Sequence, residues 1–247
     1  MTLVLVVLPT LVSGWLLILV RHHVGLQRLT TNNEVAGFKF AVVGVIYAVL
    51  LAFAVIVVWG RYSDAEITVV REAGAATTLY RLAGGPEPEA VATRAALTRY
   101  LDVAIGKDWP QMSVGGESPE ATTALDELYV AAVRLAQSGA RTNPVSVAMF
   151  HQLDIITEAR RSRLHLALGI VPVVLWWALV LGGVLTVAFT YFFGTVNLHA
   201  QVLMTCILAF IVFMGLYVII SIDHPFTGPV QVNSAALQRV LDDFARQ

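Results

Sequence analysis

Few side chains in this sequence can do chemistry, and their spacing limits what that chemistry is. His151, Asp154 and Glu158 fall on one helical face at i, i+3 and i+7. One imidazole and two carboxylates placed this way could hold a cation. A solvated face is the favoured reading, with Arg161 pairing to Glu158 three residues before it. His22, His23, His165, His199 and His224 stand at the edges of apolar runs, where an imidazole serves as an interfacial polar tip. The one cysteine, Cys206, excludes an intrachain disulfide and a cysteine-built metal centre. There is no Gly-rich phosphate loop, no His-Glu-x-x-His and no Gly-x-Ser-x-Gly. The residues therefore predict no enzyme, no cofactor and no metal site.

A second pattern is steric. Gly37, Ala41, Gly44, Ala48 and Ala52 recur every three or four residues. Such a stripe lets helix backbones approach closely. It reads either as a helix–helix contact or as the wall of a pore built from copies of this helix around a symmetry axis. In the pore reading Phe40, next to the stripe, would form a constricting ring, as would Phe38 and Phe53. Asn32, Asn33 and Glu34 would stand at the mouth. Glu34 there would draw cations, while Arg28 and Lys39 would draw anions.

The elements that carry these residues follow from where charge is absent. The chain has 247 residues, 57% hydrophobic and 13% charged, against about 25% charged in a soluble domain. A net charge of −1 excludes a basic nucleic-acid surface. Residues 1–60 carry four charges, Arg21, Arg28, Glu34 and Lys39; residues 166–222 carry none. A spanning helix needs roughly 20 apolar residues. Four segments qualify: Leu3–Val20 (with Pro9 inside it), Phe40–Trp59, Leu166–Phe189 and Leu198–Ile222. The first lacks a basic leader and a cleavage site, and reads as a retained helix.

The fold class predicted is an all-α membrane protein. Transmembrane helices 1 and 2 occupy residues 1–60 and helices 3 and 4 residues 166–222, with a cytoplasmic four-helix domain (61–165) between them. A cytoplasmic tail, 223–247, carries a short helix capped by Ser234. Breakers at Gly84-Gly85-Pro86, Trp109-Pro110, Gly115-Gly116 and Asn143-Pro144 divide the domain into helices at 61–83, 87–108, 118–138 and 145–165. No breaker interrupts the chain near 60, nor between 145 and Gly169. Two helices of about 40 residues are therefore expected to run from the domain into the bilayer. Arg61, Arg71, Arg160, Arg161, Arg163 and Arg239 outnumber Arg21, Arg28 and Lys39, which puts the domain and both termini in the cytoplasm of an inner membrane. The spans hold no carboxylate, which disfavours an ion-coupled transporter but not a channel gated by apolar constriction.

Two short motifs flank the spans. Asn33-Glu34-Val35-Ala36-Gly37-Phe38 leads into the second, and Asp223-His224-Pro225-Phe226-Thr227-Gly228 follows the fourth. With the inserted helical domain, this layout resembles the bacterial bestrophin-like family of unknown function (DUF4239), and more distantly the bestrophin anion channels. The resemblance implies a homo-oligomer, a pentamer by analogy, in a lipid bilayer. It implies a pore lined by the second span that passes small inorganic ions, with anions slightly favoured. Asp223, His224, Pro225, Phe226 and Gly228 would form a membrane-exit motif. In bestrophins an acidic cluster that helps bind calcium follows the corresponding element. Residues 228–232 here contain no acid, so calcium binding does not carry over. The alternative is a non-conducting membrane scaffold or signalling adaptor working through its cytoplasmic helices.

Overall fold

The computed structural model describes residues 2–31, 33–169 and 171–246, with Thr2 and Leu3 as backbone only. Asn32 lies outside the described residues. Among the described residues the regular elements are all helices, with no strand. The helices are α1 (Thr2–Val24), α2 (Leu26–Thr30), α3 (Asn33–Leu82), α4 (Pro88–Val103), α5 (Trp109–Met112), α6 (Pro119–Gln137), α7 (Asn143–Leu166), α8 (Val173–Phe189), α9 (Leu198–Ile222) and α10 (Ala235–Phe244). Four are long and apolar enough to cross a membrane: Val4–Val24, Asn33–Leu82, Val173–Phe192 and Leu198–Ile222.

Helix starts follow cap chemistry. Ser118 Oγ accepts from the Ala121 amide (3.4 Å) with Pro119 in the first turn of α6, and Asn197 Oδ1 accepts from Ala200 N (3.3 Å) at α9. Ser234 makes no side-chain cap to α10; Asn233 Oδ1 accepts the Ala235 amide instead, at 3.1 Å. The first expected long helix exists. α3 runs unbroken for 50 residues, about 75 Å at 1.5 Å per residue. The second does not. α7 stops at Leu166, Gly169 turns left-handed at φ +82, and Pro172 opens α8. The Pro172 ring carries no N–H to extend a helix through, and Gly169 takes a conformation other residues resist. Trp109-Pro110 is also no simple break. Residues 104–108 widen into a π-turn in which Trp109 N–H bonds Ala104 O, and the helix resumes as α5. The wider turn accommodates a ring that would strike the carbonyl four residues earlier.

The chain divides into two compact units. One comprises residues 1–59 and 171–223, the other 60–170 and 224–247; α3 contributes to both. In the first, side chains pack directly onto glycines of neighbouring helices. A Cβ on Gly14 would stand 2.8 Å from Cys206 Sγ, on Gly183 2.8 Å from Tyr47 Oη, and on Gly215 2.7 Å from Leu51 Cδ2. Tyr47 Oη donates to Leu179 O at 3.2 Å. In the second unit a continuous core runs from Ala65 through Leu97, Leu128 and Ile156 to Leu237. Phe244 of α10 stacks on Tyr80 at 3.8 Å. Arg141 and Arg94 donate to the carbonyls of Leu82, Gly84 and Gly85, satisfying the open end of α3.

Candidate functional site

The small-residue stripe lies on the first-unit part of α3 and faces away from its own chain. Ala41, Ala48 and Ala52 are exposed, and Gly37 and Gly44 are half-buried. A Cβ at Gly44 would meet nothing within 4 Å, and one at Gly37 only Phe193 at 3.9 Å. The close-packed glycines are those on α1, α8 and α9. Phe40 points elsewhere: it is half-buried, with ring centroids 5.8 Å from Phe189 and 5.6 Å from Phe193. Phe38 and Phe53 are exposed, at 76% and 64%.

At the start of α3, Asn33 clamps a loop of its own chain. Its Nδ2 donates to Gly194 O (2.8 Å), and its Oδ1 accepts from Gly194 N (3.2 Å). Arg21 holds the same loop through Thr195 O (2.8 Å) and Gln201 Oε1 (2.7 Å). Glu34 is exposed in the first turn of α3, where a carboxylate suits the helix dipole.

The exit-motif residues serve both units. In the first, buried Asp223 accepts the Val171 amide on Oδ1 at 2.9 Å. In the second, Phe226 is buried edge-on to Trp109, centroids 5.7 Å apart. Val232 N donates to buried Pro225 O (2.7 Å), closing a loop whose bend uses Gly228 at φ +86. His224 lies over Gly169, where a Cβ would stand 2.7 Å from Nε2.

Sequence reasoning missed the most polar feature of the second unit. Glu72 of α3, Asp108 of the π-turn, and Arg160 and Arg163 of α7 form a buried ion network of zero net charge. Arg163 donates through Nε to Glu72 Oε2 (3.0 Å) and through Nη2 to Asp108 Oδ2 (3.4 Å), beneath the Trp109 ring at 4.7 Å. Arg160 donates through Nε and Nη2 to the two Asp108 oxygens at 2.9 and 3.1 Å. Tyr100 Oη donates to Glu72 Oε1 at 2.6 Å, and the Ser118 amide to Asp108 Oδ1 at 2.9 Å. Burial pushes the Asp108 carboxyl up, but bonds from Arg160 and the Ser118 amide, with both arginine charges, outweigh it and hold it below the usual carboxylate range. Burial, and then the Glu72 charge, drive the Tyr100 phenol well above its ordinary value. Burial works against the Arg163 cation too, but Glu72 and its other partners raise it further. These directions favour Asp108 as a carboxylate, Arg163 as a cation and Tyr100 as a neutral phenol, the forms in which their hydrogen bonds and ion pairs hold shape.

A signal for this network existed. Met149, Leu153, Ile156, Arg160 and Arg163 continue one buried α7 stripe, so two arginines occupy core-facing positions. Their burial removes two of the six cations weighed for orientation, leaving Arg61, Arg71, Arg161 and Arg239 exposed. Glu158 pairs across helices with Arg71 (3.8 Å) instead of with Arg161, and Asp154 accepts from Tyr129 Oη at 3.3 Å. Among the described residues, no group of three or more metal-ligating side chains forms.

Four membrane-length helices and a helical unit with its own core define an all-helical protein of membrane type. A family model described as the bestrophin-like domain matches residues 5–237, and the chain belongs to that family. No curated protein sequence matches it. Among solved structures it is similar to a bacterial bestrophin homologue from Klebsiella pneumoniae: 16% identity, TM-score 0.76, covering 98% of each chain. A point mutant of that homologue matches at 17% identity and TM-score 0.74, over 100% of this chain and 98% of that one. A structure described as a membrane protein matches at 14% identity and TM-score 0.78, over 98% and 97%. At these identities the likeness establishes the fold.

Proposed function

We propose that the chain is a subunit of a homo-oligomeric bestrophin-like ion channel whose pore is lined by α3. The observation that carries this reading is the outward face of the stripe. Gly37, Ala41, Gly44, Ala48 and Ala52 have no close helix partner within the protomer, so their small size serves a contact or a path outside it. The family resemblance supports five copies and supplies the expectation of ion passage. Their role is steric and dielectric, without covalent chemistry, cofactor or metal.

In this reading the four apolar helices span an inner membrane and the unit built on 60–170 and 224–247 is cytoplasmic. Exposed Arg61, Arg71, Arg161 and Arg239 support that orientation against exposed Arg28 and Lys39. The slight anion preference rests on the resemblance to the bestrophin anion channels. Because Phe40 rests on Phe189 of α8 and on Phe193 beyond it, it shapes the wall by bracing α3, and Phe38 or Phe53 supplies any ring.

The test is a planar-bilayer recording of the pure protein under a KCl gradient. Discrete currents reversing toward the chloride potential are expected, and Ala48→Trp is expected to block them. Unchanged flux in both Ala48→Trp and Phe40→Ala would remove α3 from the pore. A stable monomer in mild detergent would favour the scaffold reading.

A further inference from the structure

We propose that the first unit binds an anionic phospholipid in the cleft between α2, α3 and the end of α8. The cleft holds ≈ 610 Å³ and is walled by Leu29, Val35, Phe189 and Phe192, with Arg28 and Lys39 on its rim. This combination is specific in chemistry. Among the described residues, neither cation has a hydrogen-bond or ion-pair partner. No carboxylate lines the cleft, and Glu34 is not part of it. Two free cations beside an apolar wall match a ligand with a phosphate at one end and hydrocarbon at the other.

Position supplies the second argument. The cleft lies at the ends of membrane-length helices: Val24 closes one span, Phe192 closes another, and Lys39 stands near the start of a third. That is the level at which lipid phosphates sit. Arg28 and Lys39 therefore contact the phosphodiester, and Phe189, Phe192 and Val35 contact the upper acyl chain. Phe189 also touches Phe40 (5.8 Å), so a bound lipid bears on the same aromatic cluster that braces α3. This inference rests on the first unit being in a bilayer, not on conduction.

The experiment is native mass spectrometry of the full-length protein in mild detergent. Equal amounts of dioleoyl-phosphatidylglycerol and dioleoyl-phosphatidylcholine are offered. Retention of phosphatidylglycerol over phosphatidylcholine is expected. The exposed double variant Arg28→Gln/Lys39→Gln should lower phosphatidylglycerol retention roughly thirtyfold and phosphatidylcholine retention much less, since the choline cation already offsets its phosphate. The charge-keeping pair Arg28→Lys/Lys39→Arg should retain it at an unchanged melting temperature. Phe192→Ala should lower lipid retention as well. Equal retention in the wild type and the Gln variant would overturn the proposal. So would displacement of the lipid by matched inorganic phosphate, which would make this a simple anion site. Since no current is read, a silent channel leaves the result intact.

Discussion

The two units of this chain are held together by different physics. The second carries a continuous core with ionised groups sealed inside it: Glu72, Asp108 and Arg163 are fully buried, and Arg160 nearly so. In the first, Tyr47, Val187, Ala209 and Val212 form a buried cluster, while Trp15, Phe53, Trp177 and Ile211 are exposed. In water that would be an aggregation liability. In lipid it is a normal outer face, because hydrocarbon is as apolar as the side chains and packing falls to small residues. The first unit accordingly meets itself at Gly14, Gly183 and Gly215, and the second at ion pairs and large aliphatics. Charge is affordable in the core of one because four groups and a phenol satisfy one another.

The sharpest break of this comparison is Arg163→Met. It strands the Glu72 charge in the core and leaves Asp108 only Arg160, and the expected cost is about 3–5 kcal/mol. That is on the order of a 10 °C fall in melting temperature for the purified protein. A loss under ~1 kcal/mol would mean the network does not distinguish the second unit. Next comes Tyr100→Phe, which takes a charge-assisted bond from Glu72 and should cost about 2 kcal/mol by chemical denaturation.

The same variant tests the pH profile. Asp108 is held below its ordinary 3.8, so its contribution is full above that value and is lost as pH falls through the lower folded value. Tyr100 is raised above 10.0, so its contribution is full below pH 10 and is lost as pH climbs beyond it. Stability should therefore be flat from about pH 5 to 9 and decline on both sides, and Tyr100→Phe should flatten the alkaline limb.

In the first unit Gly183→Val drives a side chain into Tyr47 and should cost about 1–3 kcal/mol by melting temperature. The smallest expected effect is Gly44→Val, within about 0.5 kcal/mol of wild type, since nothing in the protomer stands near its Cβ. In the proposed channel it should still narrow the conductance in bilayer recordings. A Gly44→Val protein as destabilised as Gly183→Val would erase the distinction between packed and outward glycines.

Much of this was legible in the residues. A charge-free run of about 20 residues can hardly be anything but a membrane-length helix, since every backbone group must be satisfied within the segment. Leu198–Ile222 accordingly appears with the bounds the hydropathy pattern implies. The breakers near 84, 115 and 143 also separate helices as expected, because Gly and Pro act locally. Trp109-Pro110 and the 145–189 stretch were misread for one reason: continuing or stopping a helix at Pro or Gly depends on neighbours. The buried Asp108 sits in a π-turn that carries the helix across Pro110, while Gly169 at φ +82 and Pro172 stop what periodicity alone would extend.

The sequence by itself determined the class of protein, the four apolar helices and the small stripe, because each is set by composition or by period along one segment. Which face of α3 the stripe occupies relative to its own chain was decided only by tertiary structure. So was the pairing of Glu72 and Asp108 with Arg160 and Arg163. The pairing depends on residues 52 to 91 positions apart meeting in space. A one-dimensional pattern marks Arg160 and Arg163 as cations in an apolar stripe; only packing supplies the opposite charges that let them stay there.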